Sequence, residues 1–418
     1  MDGSKQVKLK LNGGIAPLPF SMPAMIMLCA YLATNILVYI EGMSYSLSTI
    51  TLYGFLGATA FSVLVSGRVR LYPHTIWCTA FVVLCGISCL YAASTSRAIT
   101  AVINMTKVLI FAFMLCNLVI TQKQRELAMA IYSLAAAVMF VYLAATGHLD
   151  LEEGERLGAA LTGNANLFAT LFMIAAVSSV YFIFFSTNKL LKFAYFVFFI
   201  MQLIALSLSG GRKFFLMPIA LFSGVQIMRT DKKGRVRMLR NFLPVAVALV
   251  ILWWAMFNVE FLYDAIGYRM EGLLAAFTGE GEVDYSTKER QAMVEAGIAL
   301  WKESPLLGHG INSFSALTHW GVYSHNNYVE LLCSLGLIGL GIYYAYYIYI
   351  LVKLVRSKLP TLQKSYWCLV MIGFLVYDIG AVSYDSFPQH MMLVFAMKEA
   401  LRLPNGQIAD DNRKVDVS

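Results

Sequence analysis

Long apolar segments constrain this chain more than any other feature of its sequence. Hydrophobic runs of roughly 17–25 residues, the length that crosses about 30 Å of hydrocarbon, recur along the 418 residues. In lipid every backbone N–H and C=O must be satisfied within the protein, so such segments form helices. Charged residues make up only 13% of the chain, against about 25% in soluble domains. The sequence therefore predicts an all-α polytopic membrane protein.

We predict twelve transmembrane helices. Their positions are 18–40, 48–66, 74–93, 99–121, 126–146, 164–186, 190–208, 213–229, 242–258, 326–352, 365–384 and 388–402. The chain then divides into nine spans within 1–258, a large loop over 259–325, three spans within 326–402 and a cytoplasmic tail over 403–418. The loop is much longer than an ordinary connection. It contains an amphipathic helical pattern from Lys288 to Glu303, so we expect a small helical cap over the mouth of the bundle.

The basic residues set the orientation of these helices. Most of the 32 Lys and Arg residues fall on one side, among them Lys5, Lys8, Lys10 and the basic segment 229–240. By the positive-inside rule this side faces the cytoplasm, and the 259–325 loop lies on the opposite, outer side. The net charge of +8 is thus explained by topology, and binding of nucleic acid is not needed to account for it. Contact between the basic segment and anionic lipid headgroups is the alternative use of this charge.

Seven cysteines are scattered through the predicted spans, with no CxxC motif and no Cys/His metal spacing. We therefore predict no disulfide framework and no metal site. We also expect no cofactor.

Basic residues on the outer side are exceptions to the charge rule and are candidate ligands for an anionic substrate. Arg212 and Lys213 follow the Ser209-Gly210-Gly211 turn at the start of a predicted helix. A guanidinium matches a pair of phosphate oxygens, and the glycines let backbone amides at the helix start approach the same group. An arginine that only extends to the membrane interface is the structural alternative. Arg156 and Arg290 are the other outer-side arginines of interest.

The segment Tyr323-Ser324-His325-Asn326-Asn327-Tyr328 places one imidazole where the long loop meets a predicted span. Imidazole titrates near neutral pH, and asparagine side chains can fix its tautomer, so His325 is a candidate general base. An interfacial histidine that is simply hydrogen-bonded is the alternative.

Further polar residues lie at the outer ends of predicted spans. Asn164 and Asn166 open one span, where asparagine is also an ordinary helix cap. Glu330, Asp378 and Asp385 are carboxylates in or near spans, and ionisable groups at membrane depth are candidates for function. Asp385 lies at the outer edge between the last two spans and is placed to support a site.

Four features together resemble the O-antigen ligase and polymerase group of bacterial membrane glycosyltransferases. They are Arg156 with Gly163-Asn-Ala-Asn166, Ser209-Gly-Gly-Arg212, Arg290…Trp301…Pro305-Leu-Leu-Gly-His-Gly310, and Ser324-His-Asn-Asn-Tyr-Val-Glu-Leu-Leu-Cys-Ser-Leu-Gly-Leu-Ile-Gly339. The last two, in this order and joined by a short spacer, are the specific part. The resemblance covers about residues 150–345, and the first five spans match only as generic hydrophobic helices.

The resemblance implies a GT-C-like enzyme of the bacterial inner membrane with its active site facing the periplasm. Its donor would be a glycan on undecaprenyl pyrophosphate. In the ligases the acceptor is a sugar hydroxyl of lipid A–core, and transfer completes lipopolysaccharide without a metal or a nucleotide sugar. Direct displacement at the anomeric carbon would invert its configuration. The protein would contact membrane lipids and act as a monomer or homodimer.

The family pattern assigns roles to residues of this chain. An essential arginine near the turn between spans 7 and 8, another in the large loop and a histidine at the loop end match Arg212, Arg290 and His325, the expected catalytic residues. The expected substrate-binding residues are Arg156, Asn164, Asn166, Lys213, Asn326, Asn327, Tyr328 and Asp385. The Arg-Lys pair after Gly-Gly departs from the commoner family ending and leaves the role of Lys213 open. His325 would either take a proton from the acceptor or orient it.

Three other functions share parts of this pattern. A glycan polymerase would use a second lipid-linked repeat as acceptor, and an O-linked oligosaccharyltransferase would use a protein. A transporter of lipid-linked glycan would bind the pyrophosphate without reaction. Such a transporter is expected to have polar residues at mid-membrane depth and related halves, whereas the polar residues here gather at one face.

Overall fold

The computed structural model describes residues 18, 20–149, 155–229, 235–260, 263, 267–278 and 285–402. Over these residues the chain is helical without β-strands, which confirms the predicted all-α class. The N-terminal lysines, the centre of the basic segment and the 403–418 tail lie outside the described residues.

Sixteen helices occur in the described part of the chain. In order they are α1 (Ser21–Leu37), α2 (Tyr45–Ser66), α3 (Pro73–Ser88), α4 (Thr95–Leu118), α5 (Gln122–Ala145), α6 (Ala159–Thr162), α7 (Ala165–Phe185), α8 (Lys189–Leu208), α9 (Arg212–Met228), α10 (Arg235–Asn258), α11 (Tyr268–Thr278), α12 (Tyr285–Glu303), α13 (Phe314–Leu317), α14 (Asn327–Arg356), α15 (Thr361–Tyr377) and α16 (Phe387–Ala400).

Six of these helices are long and apolar enough to cross a membrane. They are Ser46–Ser66, Thr95–Leu118, Gln122–Ala145, Ala165–Phe185, Lys189–Leu208 and Asn327–Arg356. Two shorter helices, Ser21–Leu37 and Pro73–Ser88, are also apolar. The protein is thus an all-α protein with membrane-spanning character, and the count of twelve spans stays a prediction.

Side-chain caps fix where several of these helices begin. Thr121 and Gln124 form a reciprocal capping box at the start of α5. Asn188 caps α8 by accepting hydrogen bonds from the amides of Leu190 and Leu191. Pro73 occupies the first turn of α3, where its missing N–H costs nothing.

Seven helices form a closed ring of packed neighbours. In order around the ring they are α9, α7, α5, α1, α4, α16 and α15, and α15 packs back on α9. Helix α7 is buried along most of its length, as expected of a helix that is apolar on every side. Helix α7 also packs on α15 and α16, and α9 is not a close packing neighbour of α1 or α4.

Helix α14 does not run straight through its predicted span. Gly336 has φ 62° and ψ −162°, which breaks the helix into residues 327–335, here called the short arm, and residues 337–356, the long arm. The rings of Tyr328 and Tyr344 stack with centroids 4.5 Å apart, although sixteen residues of continuous helix would separate their Cα atoms by about 24 Å. The chain therefore turns back at Gly336. The long arm alone, about 30 Å, is long enough to cross a bilayer.

The segment before α14 forms part of a cap. The amphipathic helix predicted over 288–303 lies within α12 and packs on the short arm of α14. Met293 of α12 is buried against Phe314 and Cys333. The backbone N–H groups of His309 and Gly310 donate to the carbonyls of Cys333 and Ser334. The cap is thereby fixed to the same arm that His325 precedes.

A buried ion pair lies at the end of the bundle away from the cap. Arg125 at the start of α5 donates to Glu399 at the end of α16, with 2.5 Å between Nη2 and Oε1 and both side chains almost fully buried. Arg402 approaches the second oxygen of the same carboxylate at 3.3 Å. The neighbouring Lys398 donates to the carbonyl of Cys116 at 2.7 Å. These contacts join α4 and α5 to α16.

Candidate active site

A cavity of about 540 Å³ lies inside the ring of helices, beneath the cap. Five of the eleven site residues predicted from the sequence line it: Asn164, Asn166, Lys213, His325 and Asp385. They come from α7, α9 and two loops that are distant in sequence. The fold therefore brings together side chains that the sequence only suggested separately.

His325 lies on one wall of this cavity, half-buried, with its ring 4.5 Å from that of Tyr323. Burial, together with the positive charges of Arg290 and Lys213, lowers the pKa of His325 to about 4. The imidazole is therefore neutral at pH 7 and can accept a proton. Arg290 thus lies within electrostatic reach of the cavity, on α12 of the cap.

The backbone of His325 is strained. His325 has φ 56° and Asn312, which lines the same cavity, has φ 59°. Residues other than glycine rarely adopt these values, and such strain persists only where the surrounding structure imposes it, often at functional sites. Two such residues facing one cavity support the view that it is a functional site.

Three neighbouring side chains impose the conformation of this loop. Asn326 caps α14 by accepting hydrogen bonds from the amides of Tyr328 and Val329. The buried Glu330 carboxylate accepts a hydrogen bond of 2.8 Å from the Ser324 amide. The Tyr328 hydroxyl donates to the carbonyl of Leu375.

Asn327 anchors the loop from the other side. Its backbone N–H donates to the Asp378 carbonyl at 2.8 Å, and its amide group donates to the Tyr344 hydroxyl at 3.0 Å. The Asp378 carboxylate accepts hydrogen bonds from Ser383 and Tyr344 and is fully buried. Asn326, Asn327 and Tyr328 therefore do not line the cavity, and the contacts they make hold His325 in place.

The turn before α9 places Lys213 at the cavity. Gly210 has φ 66°, and a Cβ at Gly211 would lie 2.4 Å from the Phe214 ring, so both glycines are required by the local geometry. The Lys213 ammonium group donates to the carbonyl of Gly380 and lies 5.2 Å from the centre of the Tyr377 ring. This arrangement holds the amino group of Lys213 at the edge of the cavity.

Arg212, next to Lys213, points elsewhere. Its Nη2 donates to the Thr287 hydroxyl at 2.9 Å, and Arg212 is not among the cavity-lining residues. Arg212 thus connects α9 to α12 of the cap, the helix that carries Arg290. Its predicted catalytic role stays a prediction.

Arg156 also acts from behind the cavity. It donates to the Ser209 carbonyl at 2.7 Å and to Asn166 Oδ1 at 3.1 Å. Because Arg156 occupies this oxygen, the amide nitrogen of Asn166 is the end available to a ligand. Asn164 caps α7, accepting a hydrogen bond from the Asn166 amide, and also lines the cavity.

Asp385 adds a carboxylate to the cavity. Its side chain is exposed toward the cavity, and the surrounding protein raises the pKa of its carboxyl group. It therefore adds the only acidic side chain among the residues lining this cavity in the described structure.

Several cavity residues escaped the sequence analysis, and four of them form one polar group. Asn35, Tyr39, Thr100 and Asn104 line the cavity from α1, the residues just after it and α4, which the sequence presented as generic hydrophobic helices. Their signal was present, since an asparagine inside an apolar helix is costly unless it finds a polar partner or a cavity.

The fold and the cavity together define an all-α membrane protein with a polar cavity, lined in part by Lys213, at one end of its helix bundle. Comparison of the sequence with protein-family models and with curated proteins found no match. The functional assignment therefore depends on the residues and their geometry.

Proposed function

We propose that this protein is a membrane glycosyltransferase that transfers a glycan from undecaprenyl pyrophosphate to a sugar hydroxyl of lipid A–core. The observation that carries the proposal is that His325 and Lys213 line one cavity, while Arg290 on α12 is near enough to lower the pKa of His325. A lipid pyrophosphate needs cations, and an attacking hydroxyl needs a proton acceptor. The cavity offers both.

The reaction follows from these roles. The acceptor oxygen forms a bond to the anomeric carbon while the bond from that carbon to the pyrophosphate oxygen breaks. The electron pair leaves with the lipid pyrophosphate, where Lys213 and Arg290 stabilise the developing charge. The acceptor proton passes to His325. Direct displacement inverts the anomeric carbon, and the chemistry described here uses only side chains of this chain.

The low pKa of His325 fits this sequence of events. A histidine with a pKa of about 4 is a weak base in the free protein. A bound pyrophosphate offsets the positive charges of Arg290 and Lys213 and so raises that pKa, while the burial that is the main cause of the shift remains. The histidine thus becomes a better base when the donor is in place.

The proposed function includes the topology predicted from the sequence. Twelve spans with both ends in the cytoplasm would place the cavity at the periplasmic side of the inner membrane, where the donor glycan is presented. The lipid tail would lie between helices, and the cap carrying Arg290 would exclude water from the sugars.

Purified protein in detergent provides the test. Wild type is mixed with undecaprenyl-pyrophosphate glycan and rough lipopolysaccharide in EDTA without nucleotide, and products are resolved on a gel. We expect capped lipopolysaccharide from wild type and none from His325→Ala. The matched control is His319→Ala, because His319 is an exposed cap histidine that contacts Trp320 and does not line the cavity.

The other functions predict different products in the same experiment. Lengthening of the lipid-linked glycan with untouched lipopolysaccharide would indicate a polymerase. Donor binding without any transfer would contradict the enzyme proposal and indicate transport.

A further inference from the structure

A group of neutral polar side chains lines the part of the cavity formed by α1 and α4. Asn35 lies in the last turn of α1, Tyr39 follows that helix, and Thr100 and Asn104 lie in the first half of α4. We call Asn35, Tyr39, Thr100 and Asn104 the amide wall. Lys213 belongs to α9, which packs on α7, α8, α10 and α15. The amide wall and Lys213 thus belong to helices that are not close packing neighbours.

Hydrogen-bonding groups on the amide wall remain available to a ligand. The amide of Asn35 makes no side-chain hydrogen bond to the described part of the protein. Asn104 accepts one hydrogen bond from Lys107 at 3.3 Å, which leaves its NH₂ group able to donate. Thr100 donates to the Ser96 carbonyl and can still accept. Polar groups facing a cavity in this way require water or a ligand hydroxyl.

The chemistry of these groups favours a neutral saccharide. An asparagine amide both donates and accepts, which matches neighbouring sugar hydroxyls, and the Tyr39 ring offers an apolar face to sugar C–H groups. The residues that line this wall carry no charge. A cation does lie beside this wall, since the Lys107 ammonium group donates to Asn104, but Lys107 does not line the cavity, whereas Lys213 does.

The position of Lys213 favours one of the two substrates for this wall. If the donor pyrophosphate is bound at Lys213, the polar groups of α1 and α4, which do not pack closely on α9, are available to the second substrate. We infer that Asn35, Thr100 and Asn104 form the acceptor-sugar subsite, an inference that rests on the proposed transfer reaction and specifies where its second substrate binds.

Kinetics with each substrate varied in turn test this inference. The variant is Asn35→Ala/Asn104→Ala, with undecaprenyl-pyrophosphate glycan as donor and rough lipopolysaccharide as acceptor, or the lipid-linked glycan itself if that proves to be the acceptor. We expect the KM for the acceptor to rise about tenfold, the loss typical of two neutral hydrogen bonds. The donor KM and donor binding to the purified protein should stay unchanged.

Two further variants keep the test independent of folding. Thr100→Val removes one hydroxyl group at nearly constant shape and should raise the acceptor KM alone. Thr106→Ala on the same helix is the control, because Thr106 bonds only the Val102 carbonyl and does not line the cavity.

Each result separates the inference from the proposed function. A rise in donor KM instead would overturn the inference by making the wall a donor subsite. Unchanged values for both substrates would also overturn it, while leaving the transfer reaction intact. Absence of transfer by wild type would remove the proposed function and the inference with it.

Discussion

Replacing Gly336 by alanine should destabilise the protein far more than an ordinary glycine substitution in a helix. Gly336 has φ 62° and ψ −162°, a conformation that side chains essentially exclude, at about 1–3 kcal/mol. A Cβ at this position would lie 2.3 Å from the carbonyl carbon and oxygen of Leu306. These are backbone atoms, so relief requires the cap segment to move away from α14.

The size of the destabilisation follows from the hydrogen bonds between the cap segment and α14 that this movement breaks. The Leu337 amide donates to the Pro305 carbonyl at 2.9 Å, and the Gly310 amide donates to Ser334 at 2.8 Å. Losing both hydrogen bonds adds about 1 kcal/mol each. The total loss is about 3–5 kcal/mol of unfolding free energy.

Gly341 provides the matched control on the same helix. A Cβ there meets nothing within 4 Å, and its backbone is helical. Gly341→Ala should therefore be neutral or stabilise by up to about 1 kcal/mol. Thermal unfolding in detergent, followed by loss of the monodisperse chromatography peak, compares the two variants directly. Equal midpoints would refute the fold-back at Gly336.

A second readout covers the case in which Gly336→Ala does not fold. Tyr328→Cys with Tyr344→Cys, in a background whose native cysteines are replaced by alanine, should be joined by a short bifunctional thiol reagent because the two rings stack at 4.5 Å. A continuous helix would hold these positions about 24 Å apart. Absence of the cross-link would contradict the geometry that positions His325.

Three more predictions test the site and the bundle. The folded protein holds the pKa of His325 at about 4, whereas its ordinary value is 6.5. Between these two pH values the unfolded chain therefore binds more protons than the folded protein, and the free energy of unfolding falls as the pH falls from 6.5 to 4. The acid limb of kcat/KM should likewise lie near pH 4, and a limb at 6.5 that His325→Gln abolishes would contradict the burial of this imidazole. Asn326→Ala removes a helix cap worth about 1 kcal/mol and should lower kcat about fivefold while donor binding stays unchanged. A change confined to donor affinity would instead show that Asn326 contacts the donor. Glu399→Gln leaves Arg125 buried without its counter-charge and should cost about 3–5 kcal/mol, measured as a lower unfolding midpoint that Arg125→Met/Glu399→Met partly restores.

The sequence was informative where local chemistry determines local structure. The helical class follows from the apolar runs, and the amphipathic pattern over 288–303 correctly located α12. The break at Gly336 was missed because Leu335-Gly336-Leu337 has the same composition as an unbroken span. Only the cap backbone packed against it explains the turn.

The candidate site likewise contains some residues that the sequence predicted and others that only the packing of the helices explains. His325 and Lys213 stood out because polar groups are rare in this chain, and both line the cavity. Asn35 and Asn104 did not stand out, since their contribution depends on which helices are neighbours across the ring. Tertiary packing of this kind is not encoded in any short segment of the sequence.

The pairing of Arg125 with Glu399 has a consequence for the making of the protein. The two residues are separated by 274 positions in the chain, so α5 is synthesised and inserted long before its counter-charge exists. Arg125 and Glu399 can pair only after α16 has been synthesised. The ring around the cavity also lacks α15 and α16 until that stage. A nascent chain therefore lacks part of the cavity wall, Phe387 and Pro388, until α16 has been synthesised.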